Sequence, residues 1–500
     1  MSQIRNQSLK ATSWIYIGFL IGAINTYFFT HKDWFGTPEY GLTRALLDIS
    51  MLTCAFSTLG VTTYIVKFFP YYKDIMGRKK NDLLGTALKV SMFGFLFTTI
   101  FLFLLHPLII RKFSENSQLL VEYFYYVIPF SFFILLYNIL EAYAYGFDKG
   151  VFTSFLRELI LRIYTLVIII LKVFGIINFK YFILLFSCQF LIIIFILIIH
   201  LYKENVLWIA FRSSKVTKRY RKKIFSLLSL TTLIVIVTVL RQAIDGLVLA
   251  AKQDLSKVGI FGFATYLVSL LQAPFRSIVA VTIPILSRSW KAKDFKTINK
   301  IYERSSVNLL SFALFTFFAI WLNYENAILL FGINAEYLEG KWVFFVMGLV
   351  AIIEMGTGVN GQIIGTSIYW KFDLWTSLLL TILILPLSYF LTTTYGIMGP
   401  AFANLISFSV YNFARYWFLY KNFKMQPFSI KTLEAILIAT ISFIICYFLF
   451  NDISGIIGII VRLLCFATLF IMLMVLRNVT PDLKALINQI PILIPRSRKQ

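Results

Sequence analysis

Two pairs of oppositely charged residues lie inside apolar stretches of the sequence, and each pair is separated by four positions. Arg44 precedes Asp48, and Arg241 precedes Asp245. Residues four apart share one helix face, so each spacing predicts an ion pair within a helix. Charged groups in hydrocarbon are costly and usually face a partner or a cavity. The pairs are therefore either structural, or part of a polar pathway in which Asp48 and Asp245 are candidates for ion coupling.

Arginines in two other apolar stretches predict contact with an anion. The stretch around Arg276 contains no acidic residue, and Gln272 lies one helical turn before it. A guanidinium presents a fork of donors that suits phosphate oxygens; the alternative is a carboxylate on another helix. In the second stretch, Glu158 and Arg162 share a helix face whereas Arg157 does not. We therefore expect a Glu158–Arg162 ion pair and an Arg157 side chain that faces a cavity.

A glycine-rich segment follows a carboxylate in a further apolar stretch. After Glu354, residues 355–362 read Met-Gly-Thr-Gly-Val-Asn-Gly-Gln. Glycines weaken a helix, and the side chains of Asn360 and Gln362 can line a cavity or satisfy freed backbone groups. The segment predicts a bent helix with Glu354 as a candidate for ion coupling. The alternative is a packing motif of small residues, with Glu354 paired to an arginine.

The elements that must hold these residues are membrane-spanning helices. The chain has 500 residues, of which 59% are hydrophobic and 14% charged, with a mean hydropathy of +0.80. Soluble domains carry about a quarter charged residues, and disordered chains are more polar still. Long, unbroken apolar runs favour helices over a β-barrel, so we predict an all-α polytopic membrane protein. Its fourteen predicted spans are 11–30, 42–67, 83–105, 119–142, 151–171, 181–199, 225–251, 258–286, 305–323, 342–366, 374–392, 396–420, 433–450 and 456–476.

The net charge of +24 follows the alternation of the predicted loops. With the N-terminus in the cytoplasm, most of the 47 Lys and Arg residues fall on the inner side, as the positive-inside rule requires. This distribution predicts cytoplasmic N- and C-termini and an attraction to anionic lipids. It argues against nucleic acid as a partner, even for the basic run 218–223. Arg415 and Arg462 lie near span ends, where we expect them to snorkel.

The spans are predicted to form two six-helix lobes, at 1–202 and 225–422. A basic cytoplasmic linker, 203–224, joins them, and residues 423–500 add two helices and a basic tail. The Tyr-Gly-Leu at 40–42 and the Phe-Gly-Phe at 261–263 open corresponding spans of the two halves, which indicates repeats of the same topology. The cysteines and histidines show no metal-ligand spacing, and no nucleotide-binding motif is present. We predict no catalytic residue, no metal and no cofactor.

Several positions around the first two spans carry a family resemblance. They are Lys10, Trp14, Gly18 and Gly22, the Glu-Tyr-Gly at 39–41 and the Phe-Phe-Pro at 68–70. With the layout of spans, they resemble the MATE-like, or multidrug/oligosaccharidyl-lipid/polysaccharide (MOP), exporter superfamily. The sequence looks most like its Wzx-type flippases of bacterial polysaccharide biosynthesis. The resemblance implies a V-shaped pair of lobes around a cationic cavity, alternating access, and a location in the bacterial inner membrane.

The substrate implied by the resemblance is an undecaprenyl-pyrophosphate-linked oligosaccharide, moved from the inner to the outer leaflet. Cavity arginines would bind its pyrophosphate, and amides would bind its sugar hydroxyls. The candidates are Arg276, Arg241, Arg44, Arg157, Gln272, Asn360 and Gln362. Sodium, protons or the membrane potential would drive the cycle. A polysaccharide polymerase and a chain-length regulator are the expected protein partners, alongside membrane lipids.

Two other functions stay open at this point. A cation-coupled multidrug antiporter of the same fold would prefer an acidic cavity. The charged residues within the predicted spans here are instead rich in arginine. A membrane glycan polymerase or glycosyltransferase would present catalytic carboxylates or a large loop at the outer face. The predicted outer loops are short, which argues against an enzyme of this kind.

Overall fold

The computed structural model describes residues 2–75 and 81–480, which are α-helical and contain no β-strand. The chain divides into two compact units, residues 1–259 and 260–500. The helices of the first unit are α1 (Ser2–Thr30), α2 (Thr37–Thr58), α3 (Val61–Ile75), α4 (Leu83–Phe113), α5 (Gln118–Tyr123), α6 (Val127–Tyr145), α7 (Gly150–Phe155), α8 (Leu161–Val173), α9 (Phe179–Ser187), α10 (Gln189–Lys203) and α11 (Lys215–Lys252). Within this unit, α2 packs against α4, α6 and α11.

Helix α12 (Leu255–Leu271) begins at the boundary and leads into the second unit. The helices that follow are α13 (Phe275–Lys291), α14 (Phe295–Leu330), α15 (Gly340–Gly356), α16 (Asn360–Gly365), α17 (Trp370–Tyr395), α18 (Met398–Phe423), α19 (Ile430–Phe450) and α20 (Gly455–Leu476). Helix α18 packs against α15 and α17, whereas α19 and α20 pack against α14. The core of this last group includes Leu314, Ala439, Cys446 and Phe466, all nearly or fully buried.

The apolar helices confirm a multi-pass membrane protein. Eight helices of the described residues are long and apolar enough to cross a membrane, and the number rises to ten if each of two bent pairs counts as one span. The predicted spans at 151–171 and 342–366 are not among these helices, and neither segment is one regular α-helix. A π-helical turn, Leu156–Ile160, separates α7 from α8, and residues 357–359 separate α15 from α16. The count of fourteen, the lobe boundaries and the orientation stay predictions.

Two spans predicted as continuous are broken. The span at 42–67 is the pair α2–α3, bent by 46°, and the span at 258–286 is the pair α12–α13, bent by 47°. In the first break, Leu59 and Gly60 both adopt left-handed backbone angles, with φ of 46° and 71°. In the second, Pro274 has no N–H with which to continue the helical hydrogen bonds. Gln272 therefore lies in the break and Arg276 lies in the helix after it, so the two are not one turn apart on a single helix.

Arg462 differs from its predicted snorkelling position because its side chain is buried in the second unit. Its guanidinium donates to the carbonyl oxygens of Leu322 and Ile453, each at 2.9 Å, and to that of Gly458 at 3.1 Å. These carbonyls need a donor, since a buried backbone oxygen without a partner is costly. Arg462 thus ties the ends of α14 and α20 together, and it is unavailable to a substrate.

Candidate functional site

The two segments with charged residues four apart lie on neighbouring helices of the first unit, α2 and α11. A Cβ atom at Gly246 would lie 2.6 Å from Oδ2 of Asp48, so the carboxylate of α2 fills the space that this glycine leaves on α11. Asp245, the residue before Gly246, is buried. The Arg44 guanidinium lies 5.7 Å from the centre of the Tyr40 ring. The structure therefore brings both candidate carboxylates to one helix–helix contact.

Arg241 lies on the same stretch of α11 but does not form the predicted pair with Asp245. Within residues 2–75 and 81–480 it makes no ion pair and no hydrogen bond, and its side chain is half-buried. The spacing alone is therefore not sufficient to bring the two side chains together.

Arg157 has a carboxylate partner that its spacing did not predict. Its Nη2 lies 2.9 Å from Oε2 of Glu141 and donates to Oδ1 of Asn138 at 2.7 Å. The guanidinium also lies 5.2 Å from the centre of the Tyr137 ring. The predicted pair of Glu158 with Arg162 is confirmed, with an Oε2–Nη2 distance of 2.8 Å. Arg157 is thus held by α6, and it still has 40% of its side chain exposed.

A cavity of about 370 Å³ adjoins this group in the first unit. Its walls come from α3, just after the α2–α3 break, and from α6. The lining residues are Thr62, Thr63, Val66, Asn138, Glu141, Ala142 and Tyr145. The π-helical turn that carries Arg157 widens the helix locally, and such turns are frequent at functional sites. Arg157 and Glu141 together offer a cation and an anion at the edge of this cavity.

In the second unit, the α12–α13 break is connected to α15 through two of the candidate residues. Nε2 of Gln272 donates to Oε2 of Glu354 at 2.8 Å. Gln272 is the first residue of the break, after the end of α12 at Leu271. Glu354 lies near the end of α15, just before the glycine-rich break to α16. Arg276 occupies the first turn of α13. One hydrogen bond to the Glu354 carboxylate therefore connects the α12–α13 break to the end of α15.

The polar group continues from α15 to α18. Oγ1 of Thr357 lies 2.9 Å from both the carbonyl oxygen of Glu354 and Oδ1 of Asn412, and Nδ2 of Asn360 donates to the same Oδ1 at 3.2 Å. The buried Oε1 of Gln362 has no hydrogen-bond partner among the described residues. Asn412 was not a candidate, because nothing in an isolated apolar stretch relates it to residues about fifty positions earlier. Asn360 therefore supports the break, whereas Gln362 retains an acceptor without a donor.

Arg415 was expected to snorkel but is buried in this part of the second unit. It forms an ion pair with Asp373, and its Nε donates to Oγ1 of Thr376 at 3.1 Å. Its guanidinium lies 4.0 Å from the centre of the Tyr411 ring. A Cβ atom at Gly361 would lie 2.6 Å from its Nη1, so the glycine leaves room for the guanidinium. Arg415 joins α16, α17 and α18, which is a structural role.

Each of the two units thus has its own set of polar groups within apolar helices. The first unit contains Arg44, Arg157 and Arg241, and the second contains Arg276 with amide side chains. Guanidinium and amide groups can replace water around phosphate and sugar oxygens. Across the described residues, no three His, Cys, Asp or Glu side chains come together as metal ligands would.

Comparison with solved structures shows that the fold of the chain is shared with several membrane proteins. The chain is similar to the lipid II flippase MurJ in an inward closed conformation, with a TM-score of 0.74, 17% identity, and coverage of 95% of this chain and 99% of that one. It is also similar to an inward-facing multidrug resistance MATE family transporter of the MOP superfamily, with a TM-score of 0.57, 13% identity, and coverage of 82% and 97%.

A third similar structure is the MATE multidrug transporter DinF-BH, with a TM-score of 0.52, 18% identity, and coverage of 84% of this chain and 95% of that one. No family model matches the sequence, and no curated protein is significantly similar to it. At these identities the likeness establishes the fold, while the substrate depends on the residues within it.

Proposed function

We propose that the protein is a flippase that moves an undecaprenyl-pyrophosphate-linked oligosaccharide from the inner to the outer leaflet by alternating access. The observation that carries this proposal is the likeness to the lipid II flippase MurJ over 95% of this chain. The two multidrug transporters cover less of the chain, at lower TM-scores. A Wzx-type role in polysaccharide biosynthesis fits the same fold, with a polymerase and a chain-length regulator as partners.

The proposed ligands for the pyrophosphate are Arg44, Arg157, Arg241 and Arg276. A pyrophosphate in a region of low dielectric needs cationic donors in place of water. Arg157 supports this role because its carboxylate partner, Glu141, borders a cavity and its guanidinium is partly exposed. A phosphate oxygen would replace the Glu141 carboxylate on Arg157 during transport.

The proposed ligands for the sugar hydroxyls are Gln272, Asn360 and Gln362. Gln362 supports this role most directly, because its buried Oε1 lacks a donor among the described residues. A sugar hydroxyl would supply that donor. Gln272 and Asn360 already hydrogen-bond within the second unit, so they would exchange partners when the substrate binds.

Arg276 provides the sharpest test of the pyrophosphate role. Transport of a fluorescent lipid-linked oligosaccharide is measured in proteoliposomes for Arg276→Ala, Arg276→Lys and the control Arg288→Ala. Arg288 lies on the same helix and is exposed. Hydrogen bonds to charged groups are worth about 1.5–3 kcal/mol, so we expect Arg276→Ala to lose about tenfold or more in transport. Wild-type transport in both Arg276 variants would contradict the proposal.

The choice of cargo is tested in the same vesicles. Lipid II is the second candidate cargo, because the similar structure is that of a lipid II flippase. Wild-type protein is supplied with an undecaprenyl-pyrophosphate oligosaccharide, with lipid II, or with a cationic dye. Faster transport of lipid II than of the oligosaccharide would replace the cargo and leave the flippase role intact. Export of the dye alone would establish a multidrug transporter in its place.

Glu354 is the proposed coupling residue, with Asp48 and Asp245 as further candidates. Its carboxylate accepts a hydrogen bond from Gln272 at one helix break and directly precedes another. Binding of a proton or Na⁺ there would weaken the bond to Gln272 and loosen both breaks. Glu354→Gln is expected to remove the dependence of transport on pH or sodium. If both dependences persist unchanged in this variant, Glu354 is not the coupling group.

A further inference from the structure

A basic groove between α3 and α11 in the first unit has no part in the transport path proposed above. Its cavity measures about 640 Å³, within the range of about 300–1,000 Å³ that small-molecule sites occupy. The residues that line it are Lys67, Phe68, Tyr71, Tyr220, Lys222, Lys223, Ser226, Leu227 and Leu230. No acidic residue is among them, so the groove has a positive potential that favours an anion.

The three lysines of the groove have no competing partner. Within the described ranges, Lys67, Lys222 and Lys223 form no ion pair and no hydrogen bond. The ammonium group of Lys223 lies 5.9 Å from the centre of the Tyr220 ring, and this ring lies 5.6 Å from the ring of Tyr71. The two tyrosine hydroxyls likewise have no hydrogen-bond partner among described residues. Three cations and two hydroxyl donors therefore face an open cavity.

Contacts at both ends hold the groove open at a fixed width. At one end, the hydroxyl of Tyr72 lies 2.6 Å from Oγ1 of Thr217, which connects α3 to α11. At the other, α11 approaches the start of α3 so closely that a Cβ at Gly60 would lie 2.8 Å from the carbonyl oxygen of Leu228. The two helices are thus fastened on either side of the cavity, which makes the groove a preformed feature of the fold.

The lining of the groove changes from charged to apolar along α11, in the same order as a bilayer changes from headgroups to hydrocarbon. Lys223, Leu227 and Leu230 are spaced at i, i+4 and i+7, so they lie on one face of the helix. Leu230 is 57% exposed. With 38 residues, α11 is about 57 Å long, well beyond the hydrocarbon thickness of about 30 Å. Part of the helix must therefore lie outside the hydrocarbon, and we expect this part to be the basic end, at the headgroup level, with the leucines toward the hydrocarbon.

We infer that this groove binds an anionic phospholipid, with the phosphate among Lys67, Lys222 and Lys223 and the acyl chains along Leu227 and Leu230. The tyrosine hydroxyls add hydrogen bonds to the headgroup. Free phosphate would satisfy the lysines alone, whereas the apolar wall favours a lipid as the source of the anion. The site goes beyond the proposed flippase function, because a resident lipid would hold α3 and α11 together whatever the protein transports.

The test of charge uses the full-length protein in detergent, titrated with short-chain phosphatidylglycerol and followed by native mass spectrometry. Lys222→Gln/Lys223→Gln removes two cations from the groove, and Lys218→Gln/Arg221→Gln removes two from the same helix outside it. Each basic residue near a membrane surface contributes about 1 kcal/mol to the binding of anionic lipid, so we expect affinity to fall about tenfold or more in the groove variant. Equal losses in both variants would contradict a defined site.

The test of shape leaves the charge unchanged. Ser226 lines the cavity, and Ser229 lies on the same helix outside it. Ser226→Phe fills the groove and is expected to remove phosphatidylglycerol binding, while Ser229→Phe keeps it. The inference is overturned if Ser226→Phe binds as the wild type does, if phosphatidylcholine binds as tightly as phosphatidylglycerol, or if inorganic phosphate displaces the lipid at equal concentration. None of these measurements depends on transport.

Discussion

The two broken spans are bent alike, by 46° in the first unit and 47° in the second, but they reach the bend by different means. In the α2–α3 pair the backbone turns through left-handed angles at Leu59 and Gly60, and α11 closes over the turn. In the α12–α13 pair a proline ends the helical hydrogen bonds, and Gln272 connects the break to Glu354. The first break is fixed by backbone packing, and the second by a polar side chain that can exchange its partner.

This difference assigns separate roles to the two breaks. A glycine packed against a neighbouring backbone leaves little room for rearrangement, so the α2–α3 bend is expected to be rigid. A hydrogen bond to a carboxylate responds to protonation or to a bound cation. The α12–α13 bend is therefore expected to be the more adjustable of the two.

Gly60→Ala should have the largest effect on stability. Its φ of 71° strains an alanine, and the added Cβ would meet the side chain of Thr231 and the carbonyl oxygen of Leu228. We expect a loss of about 3 kcal/mol, measured as a lower unfolding midpoint in detergent. Gly175→Ala is the matched control, because Gly175 has a similar φ of 70° and nothing within 4 Å of its Cβ position. It should lose about 1 kcal/mol; equal losses would show that α11 does not fix the bend.

Gln272→Leu should have the next largest effect. It removes a donor from the Glu354 carboxylate, at a cost of about 1.5–3 kcal/mol for a charged acceptor. The control is Gln189→Leu in the first unit, where Oε1 of Gln189 accepts from Oγ1 of Thr165 at 3.0 Å. That neutral bond is worth about 1 kcal/mol. Unfolding midpoints of both variants, measured at acidic and at alkaline pH, distinguish a charged Glu354 acceptor from a neutral one. Equal costs for the two variants at both pH values would mean that Glu354 is neutral and that the second break is no more responsive than the first.

The sequence predicts side-chain contacts between residues that are close together along the chain. The Glu158–Arg162 pair follows from a spacing of four residues, and it forms. The bond of Gln272 to Glu354 joins residues 82 positions apart, and the pair of Arg415 with Asp373 joins residues 42 apart. Such contacts are set by how helices pack, and a nearly uniform apolar background carries no signal of which faces meet.

The breaks themselves are only partly visible in the sequence. Pro70, Pro107, Pro284 and Pro386 all lie inside helices that continue through them, so Pro274 alone does not predict a bend. In the sequence, nothing distinguishes Gly60 from other glycines in apolar stretches, because its contact with Leu228 is tertiary. Hydropathy therefore predicts the membrane class and the helical fold, whereas the bends depend on tertiary contacts.

Glu141→Gln should have the smallest effect on stability and the clearest effect on binding. The amide keeps the shape of the side chain, and Arg157 retains its hydrogen bond to Asn138 and its contact with the Tyr137 ring. The Glu141 side chain is 9% exposed and that of Arg157 is 40% exposed. Because the amide can still accept a hydrogen bond from Arg157, we expect the substitution to cost about 1 kcal/mol.

The same substitution removes the carboxylate that competes with phosphate for Arg157. Binding of inorganic pyrophosphate, measured by calorimetry, should therefore tighten in Glu141→Gln and weaken in Arg157→Gln. If Glu141→Gln leaves pyrophosphate binding unchanged while Arg157→Gln weakens it, the carboxylate does not compete and the pair is a structural tie. In that case the first unit would have fixed contacts at both its break and its cavity, and partner exchange would be confined to the second unit.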